Sequence, residues 1–279
     1  MTKVADVFVD DCDMWTALPE DASETALVEA FTTAAQAWER LLFASGGLLA
    51  LHKCYWWLIS WDWCNGLPVM RDPAVDDHRV WLSTGHDDAT VPITRLPLEA
   101  ANIGLGFRLA PSGDQAQEIR FRTTTSDAMA SKLSKSPLTP MEAWTFYTAI
   151  YRPKIFYPAK VTTFSKAEWT SVTRKFTFSI IQKMGFNGHT DRRVVFGPRR
   201  LGGIGMVPGY AQQGAEGLAH FISHVRSNIQ LGKLMVNTLS QLQLLSGQHQ
   251  CLLAYPQPLP KGHPRKGSNI YRWNHLGQG

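Results

Sequence analysis

Long apolar runs and clustered cysteines are missing from this chain of 279 residues. No apolar stretch approaches the roughly 18–20 residues that a membrane-spanning helix needs, so we expect no membrane partner. Residues 1–13 lack a basic segment followed by an apolar one, so we expect no secretory signal. The few cysteines are too scattered for a disulfide framework or a Cys-x-x-Cys zinc site. A reducing compartment, the cytoplasm or the nucleus, is therefore expected for this chain, whose cysteines are Cys12, Cys54, Cys64 and Cys251.

Familiar nucleotide-binding and hydrolase motifs are also missing. There is no P-loop and no Gly-x-Ser-x-Gly, and the glycines at 202–205 lack the G-x-G-x-x-G spacing of a dinucleotide site. His220 and His224 have a helical spacing that can bind a metal, but we favour two ordinary histidines there. These absences argue against a P-loop nucleotide-binding protein, a hydrolase of the Gly-x-Ser-x-Gly type and a dinucleotide-binding enzyme.

Charge is present but unevenly distributed. Residues 1–110 contain seven basic and sixteen acidic side chains, whereas residues 111–279 contain twenty-one basic and seven acidic ones. The basic part indicates a polyanionic partner, nucleic acid before membrane, because no basic amphipathic helix stands out. Solvated surface charge is the alternative interpretation.

Hydrophobic spacing predicts an α+β fold. Strands are predicted over 4–9 and 12–17, forming a hairpin, and then over 79–83, 90–95 and 103–109, with β-rich sequence at 48–63. A helix of about six turns is predicted to start near Asp21 and Glu24, which resemble a capping box, and to stop at Gly46-Gly47.

After residue 110 the predicted elements are mostly helices. They cover 115–133, 140–151 and 166–184, with two more over 210–245, beyond a glycine-rich stretch at 197–209. Thr139 followed by Pro140 is a predicted helix start. Residues 255–279 are basic and predicted to be disordered. The expected domains are thus 1–110, 111–254 and the tail 255–279.

The tetrapeptide Phe8-Val9-Asp10-Asp11 carries the strongest chemical signal. Asp6, Asp10, Asp11 and Asp13 lie within eight residues, and carboxylates so close together repel unless one is protonated or a cation lies between them. Mg²⁺ is the usual cation for oxygen-only ligands, and two such ions can catalyse phosphoryl transfer. An ordinary acidic turn is the alternative.

The tetrapeptide resembles the aromatic-x-Asp-Asp hairpin of reverse transcriptases, with Phe8 in place of the usual tyrosine. The following helix, the Gly-Gly turn, the segment 48–54 with Lys53, the stretch 103–107 and the sequence Gly-Pro-Arg-Arg-Leu-Gly-Gly-Ile-Gly-Met at 197–206 occur in the same order as in non-LTR retroelement enzymes. The resemblance covers most of residues 4–245.

This resemblance implies the lower part of a polymerase palm followed by a helical thumb-like region. Asp10 and Asp11 would be catalytic metal ligands for two Mg²⁺ (or Mn²⁺) ions, and Lys53 would approach the pyrophosphate leaving group. Leu105 and Gly106 would lie beside the primer grip. The implied partners are an RNA template, a DNA primer and deoxynucleotides.

The sequence begins nine residues before Asp10. In the family, a third catalytic aspartate and the basic fingers lie upstream, so we expect a C-terminal fragment that is inactive by itself. A non-catalytic nucleic-acid-binding remnant and a helical protein-interaction domain stay open as alternatives.

Two further groups of side chains could contact nucleic acid. Arginines bracket the glycine-rich stretch and can bind phosphate with two parallel hydrogen bonds; they are Arg192, Arg193, Arg199 and Arg200. The tryptophans and tyrosine at 55–63 could stack on bases, although aromatic residues on a strand more often belong to a core.

Overall fold

The computed structural model describes residues 2–8, 11–19, 22–65, 67–71, 78–83, 90–104, 106–227 and 229–246. They form small sheets and many helices, which confirms the α+β class. The chain divides into two compact units, Met1–Ala100 and Ala101–Gly279. The division comes before the predicted boundary at residue 110 because the strand Phe107–Leu109 contacts the first helix of the second unit and pairs with the strand Asn102–Gly104. The predicted tail 255–279 lies outside the described residues.

The first unit begins with the predicted hairpin. β1 (Thr2–Phe8) and β2 (Asp11–Ala17) are antiparallel, and their register runs from Thr2 opposite Ala17 to Phe8 opposite Asp11. The predicted hairpin is therefore present, and its last pair of residues, Phe8 and Asp11, belongs to the acidic tetrapeptide.

The long helix α1 (Glu24–Ala44) follows the hairpin. Its N-cap is Ser23, whose side chain accepts a hydrogen bond from the Ala26 N–H at 3.1 Å, so the predicted capping role of Asp21 belongs to Ser23. The helix ends at the predicted place, where Gly46 adopts a φ of +86° that L-residues with side chains rarely adopt.

A three-stranded sheet packs against α1. Its order is β3 (Tyr55–Trp56), β7 (Thr90–Arg95) and β6 (Val80–Ser83); β3 is parallel and β6 antiparallel to β7. The β6 and β7 bounds match the predicted strands closely. The core between helix and sheet consists of Val28, Ala35, Trp56, Leu58, Val80, Leu82 and Ile93.

The region 48–63 is less regular than its predicted β-rich character. A 3₁₀ turn covers Leu51–Lys53, and beyond β3 a separate antiparallel hairpin joins β4 (Ser60–Cys64) to β5 (Leu67–Arg71). The aromatic residues indicated strand, but they did not indicate where the chain would turn.

The second unit begins with another hairpin, where one continuous strand was predicted. β8 (Asn102–Gly104) and β9 (Phe107–Leu109) are antiparallel, and Gly106 between them has a φ of +86°. Helix α2 (Ala116–Lys135) follows and packs against β9.

The next helical segment is longer than predicted and contains a wide turn. α3 (Pro140–Phe146) starts with the predicted cap, in which Thr139 and Glu142 form a reciprocal capping box. A π-helical turn over Tyr147–Tyr151 leads into α4 (Arg152–Phe156). Pro153 has no N–H to donate to the carbonyl of residue 149. The α-helical hydrogen-bond pattern is therefore interrupted at this point, and the turn just before Pro153 adopts the wider π-helical pattern.

The remaining helices complete the core of the second unit. They are α5 (Lys166–Lys183), α6 (Arg192–Phe196), α7 (Gly209–Arg226) and α8 (Gln230–Ser246). α5 runs in the same direction as α2, since Ser134 bonds to Ser179 at 2.9 Å and Lys183 bonds to the Ser136 carbonyl at 2.7 Å. The buried side-chain amide of Gln213 joins α7 to α5 by accepting a 2.9 Å hydrogen bond from the Trp169 indole.

Candidate nucleic-acid interface

Of the two predicted metal ligands, the structure places only Asp11, at the end of the first hairpin. Asp11 begins β2 opposite Phe8, whereas Asp10 lies outside the described residues. Lys53 ends a 3₁₀ turn with an exposed side chain. No group of three or more His, Cys, Asp and Glu side chains that could hold a metal ion occurs in the described parts of the chain. The site formed by Asp10, Asp11 and Lys53 therefore stays a prediction.

The glycine-rich stretch folds back tightly onto α6. The N–H of Ile204 donates to the Val194 carbonyl at 2.8 Å, and the N–H of Met206 donates to the Val195 carbonyl at 3.1 Å. Val195, Ile204 and Met206 are buried in the core. This anchoring explains why the segment is compact in spite of its glycine content.

Two of its glycines come into direct backbone contact. A Cβ atom added to Gly203 would lie 2.2 Å from the carbonyl oxygen of Gly197, far inside van der Waals contact. Gly202 has a φ of +82°, and its N–H donates to the Arg199 carbonyl at 3.0 Å. Gly203 is therefore needed because the two backbone segments come so close together, and Gly202 because the backbone is left-handed there. We refer to residues 197–206 as the glycine loop.

The four candidate arginines differ in their surroundings. Arg193 forms a 2.9 Å ion pair with Asp191, which also caps α6. This interaction lowers the pKa of Asp191 to about 2, because the carboxylate accepts hydrogen bonds from the side chain and backbone N–H of Arg193.

Arg199 supports the glycine loop. Its guanidinium carbon lies 3.7 Å from the ring centroid of Trp144, and its Nε donates to the Ile204 carbonyl at 3.3 Å. Arg192 and Arg200 are exposed, and within the described ranges their side chains have no hydrogen-bond or ion-pair partner. Of the four, Arg192 and Arg200 are therefore available to an external anion.

The hairpin with the primer-grip-like residues is tied to the helices by a buried ion pair. Leu105 lies outside the described residues, but the Gly106 carbonyl accepts a 2.8 Å hydrogen bond from Arg122. Arg122 also binds Glu118 and donates to the Lys154 carbonyl at 2.7 Å. The second carboxylate oxygen of Glu118 accepts from the Arg108 N–H at 2.9 Å.

Neither Glu118 nor Arg122 was singled out from the sequence. Their side chains are 0% and 4% exposed. Their spacing of four residues on a predicted helix was the available signal, but such pairs are common on exposed helix faces. Only the packed structure shows that this pair is buried and holds the β8–β9 hairpin.

All seven carboxylates of residues 111–279 accept hydrogen bonds from the chain itself. Asp114 accepts from the Ala116 N–H, Asp127 from Lys175, and Glu216 from Gln212. Glu142 and Glu168 complete capping boxes, while Glu118 and Asp191 form the ion pairs described above. Every acidic side chain of the second unit thus has a hydrogen-bond partner within the chain.

Many basic side chains of the second unit, in contrast, form no such interactions. They are exposed and have no hydrogen-bond or ion-pair partner among the residues that the structure describes: Arg120, Lys132, Lys135, Lys154, Lys160, Lys166, Arg174, Arg192, Arg200, Arg226 and Lys233. The surface of the helical unit therefore carries an excess of uncompensated positive charge.

The aromatic segment is divided between core and surface. Trp56 is 5% exposed and belongs to the core, in line with the more common role of strand aromatics, and its indole donates to the Ile93 carbonyl at 3.2 Å. Trp61 and Trp63 on β4 are 54% and 73% exposed.

The histidine pair on α7 is a contact between neighbouring rings. The centroids of His220 and His224 lie 4.2 Å apart. Burial, the charge of His224 and the charge of Lys160 lower the pKa of His220. The neutral form of His220 is therefore favoured in the fold.

No protein-family model, no curated protein and no solved structure matches this chain. Across its described helices, none combines the length and apolar character that crossing a membrane requires.

Proposed function

We propose that the helical unit binds the phosphate backbone of nucleic acid, as the thumb-like part of a reverse-transcriptase-like protein. The observation that carries this proposal is the set of exposed basic side chains of the helical unit that have no hydrogen-bond or ion-pair partner among the described residues, against only seven carboxylates in residues 111–279. A polyanion is the partner that such a surface attracts.

The expected binding is electrostatic and tolerant of sequence. Each neutralised phosphate releases condensed counterions, so the logarithm of the binding constant should fall linearly with the logarithm of the salt concentration. Several contacts would give a slope of about −3 to −5. Little discrimination between sequences is expected, because phosphate contacts carry no base information.

Charge reversal at the two available arginines tests this proposal. Arg192→Glu combined with Arg200→Glu should weaken binding to a primer–template duplex about tenfold or more and make the salt slope shallower by about two. Fluorescence anisotropy of a labelled duplex measures both quantities. The control is Arg40→Glu combined with Arg79→Glu, which changes the net charge equally at exposed arginines of the first unit.

The control variant should bind nearly as well as the wild type. Equal losses in both double variants would mean that net charge alone governs binding, which contradicts an interface at α6 and the glycine loop. Absence of duplex binding by the wild type at low salt would reject the proposal and favour a helical protein-interaction domain.

A catalytic role in a complete polymerase is the second candidate function. It is favoured by the β1–β2 register, in which Phe8 lies opposite Asp11 and the long helix α1 follows. In this proposal Asp10 and Asp11 hold Mg²⁺ or Mn²⁺, which supply two-metal chemistry for template-directed nucleotide addition. Lys53 carries positive charge toward the leaving group.

Thermal unfolding with divalent ions tests this second candidate. Millimolar Mn²⁺ should raise the Tm of the wild type by about 1–2 °C through preferential binding to the folded state. Asp10→Ala combined with Asp11→Ala should abolish this rise. The matched control is Asp87→Ala with Asp88→Ala, another adjacent pair of aspartates; an equal loss of the rise in both variants would show that the hairpin is an ordinary acidic turn.

A further inference from the structure

The glycine loop presents an apolar side chain at its exposed end. Leu201 closes the 3₁₀ turn Arg199–Leu201 and is 76% exposed, beside the exposed Arg200. A single exposed leucine is common on protein surfaces. This one is unusual in its setting, because the turn that carries it is fixed on both sides.

Several contacts hold this turn in place. The Leu201 N–H donates to the Pro198 carbonyl at 2.9 Å, and Arg199 stacks on Trp144. On the other side, Gly203 lies against Gly197, and Ile204 is buried in the core. These contacts therefore fix the backbone of the turn in a position that leaves the Leu201 side chain exposed.

A fixed apolar tip next to the available Arg200 suits a particular way of binding nucleic acid. Proteins that bind the minor groove of DNA often insert a leucine, isoleucine, methionine or phenylalanine between neighbouring bases, which partly unstacks them. An arginine beside such a wedge can bind a neighbouring phosphate, and contacts of this kind offset the cost of unstacking.

We infer that Leu201 inserts as a wedge between neighbouring bases of a duplex that the adjacent Arg200 holds by a phosphate. This inference rests on the proposed function, because the wedge needs a bound duplex. It adds a specific contact: the helical unit distorts base stacking locally rather than only following the backbone.

The test uses the full chain and a duplex that contains 2-aminopurine, whose fluorescence rises when it is unstacked. Saturating wild-type protein should raise the fluorescence about twofold or more when 2-aminopurine lies within the bound site, which is scanned along the duplex. Leu201→Ala should lower the affinity only about two- to fivefold and should abolish the rise at saturation, because the phosphate contacts remain. Leu201→Phe should retain the rise.

Leu244→Ala is the matched control, since Leu244 on α8 is 82% exposed; this variant should raise the fluorescence as the wild type does. Thermal unfolding should show the same Tm for the wild type and Leu201→Ala, because an exposed side chain contributes little to the core.

The outcomes separate the inference from the proposed function. Saturable duplex binding without a rise at any position, or an equal rise with Leu201→Ala, overturns the wedge and leaves backbone binding intact. Absence of duplex binding overturns both. Cosedimentation with phosphatidylserine–phosphatidylcholine vesicles that depends on Leu201 also overturns the wedge, because the tip would then serve an anionic membrane surface.

Discussion

Glu118 and Arg122 illustrate how one buried pair connects three segments. Arg122 binds the carbonyl oxygens of Gly106 and Lys154, and Glu118 binds the backbone of Arg108. Removing one partner of such a pair leaves a charge with no counter-charge in a site from which water is excluded. Removing one partner therefore destabilises the fold more than replacing the whole pair by well-packed apolar residues would.

Glu118→Ala should therefore lower the free energy of unfolding by about 3–5 kcal/mol. Urea unfolding followed by circular dichroism measures this loss. The double variant Glu118→Leu with Arg122→Leu should lose much less than the sum of the two single changes, because neither of the two buried charges is left without the other; Arg108, which lies 3.8 Å from Glu118, is partly exposed to solvent. Additive losses would show that the pair does not act as a unit.

Lys175→Ala serves as a control for this effect. Lys175 pairs with Asp127 at the surface, where its side chain is 69% exposed. Solvent screens this pair, so breaking it should cost less than about 1 kcal/mol.

The lowered pKa of His220 predicts that the stability of the fold depends on pH in the acid range. Its pKa is lowered in the folded state by burial, by His224 and by Lys160. A histidine with a lowered pKa binds protons more readily when unfolded, so its contribution to stability is full above its unfolded pKa of about 6.5. That contribution is lost as the pH falls from there through the folded pKa.

Acidification from pH 7.5 to pH 5.5 should consequently lower the Tm of the wild type more than that of His220→Gln. Differential scanning fluorimetry at a series of pH values measures the two curves. His189→Gln, at an exposed position, should follow the wild-type curve. A His220→Gln curve that also follows the wild type would contradict a role of this histidine in acid sensitivity.

At the scale of elements, the glycine loop depends on the close contact between Gly197 and Gly203. Any side chain at position 203 meets a carbonyl oxygen rather than a movable side chain. The loop must therefore open to admit one, and Ile204 and Met206 would be displaced from the core.

Gly203→Ala should lower the free energy of unfolding by about 1–3 kcal/mol through this overpacking. Gly217→Ala is the matched control within α7, where an added Cβ meets no atom within 4 Å. Alanine is favoured over glycine inside a helix, so this second variant should gain about 0.5–1 kcal/mol. Urea unfolding of both variants measures the contrast, and equal effects would contradict the contact.

The π turn shows a second adjustment between elements. It places Tyr147 and Tyr151 in the core, where the Tyr147 hydroxyl accepts from the Val207 N–H at 2.9 Å and Tyr151 bonds to Ser126 at 2.8 Å. Burial raises the pKa of both tyrosines. Both hydroxyls therefore stay protonated near neutral pH and can keep these hydrogen bonds.

For the whole molecule, the opposite charges of the two units determine where a polyanion can bind. Under the proposed function, the net acidic residues 1–110 should repel a phosphate backbone, whereas the basic helices after them should attract it. A bound duplex should thus act on one unit much more than on the other.

Hydrogen exchange with and without a duplex should show protection within residues 101–246 and little change in residues 2–100. Raising the salt concentration to about 0.5 M should remove this protection, because the contacts are screened and counterion release is less favourable. Protection confined to the first unit would contradict the proposed interface.

Local signals let the sequence by itself determine several features. The Thr139-Pro140 start of α3, the β7 strand and the stop of α1 at Gly46 depend on capping, alternation and backbone freedom within a few neighbouring residues. The charge difference between the two parts of the chain is likewise a property of composition. These features need no knowledge of distant contacts.

Only the tertiary structure decided which polar and aromatic side chains are buried or paired and which are exposed to solvent. Arg199 stacks on Trp144 while Arg200 remains exposed, although the two are adjacent in the same dipeptide. Trp56 is buried and Trp63 is exposed within one aromatic segment. Burial and pairing depend on partners from distant segments, such as Gly106 for Arg122, and a spacing pattern carries no information about which segments will meet.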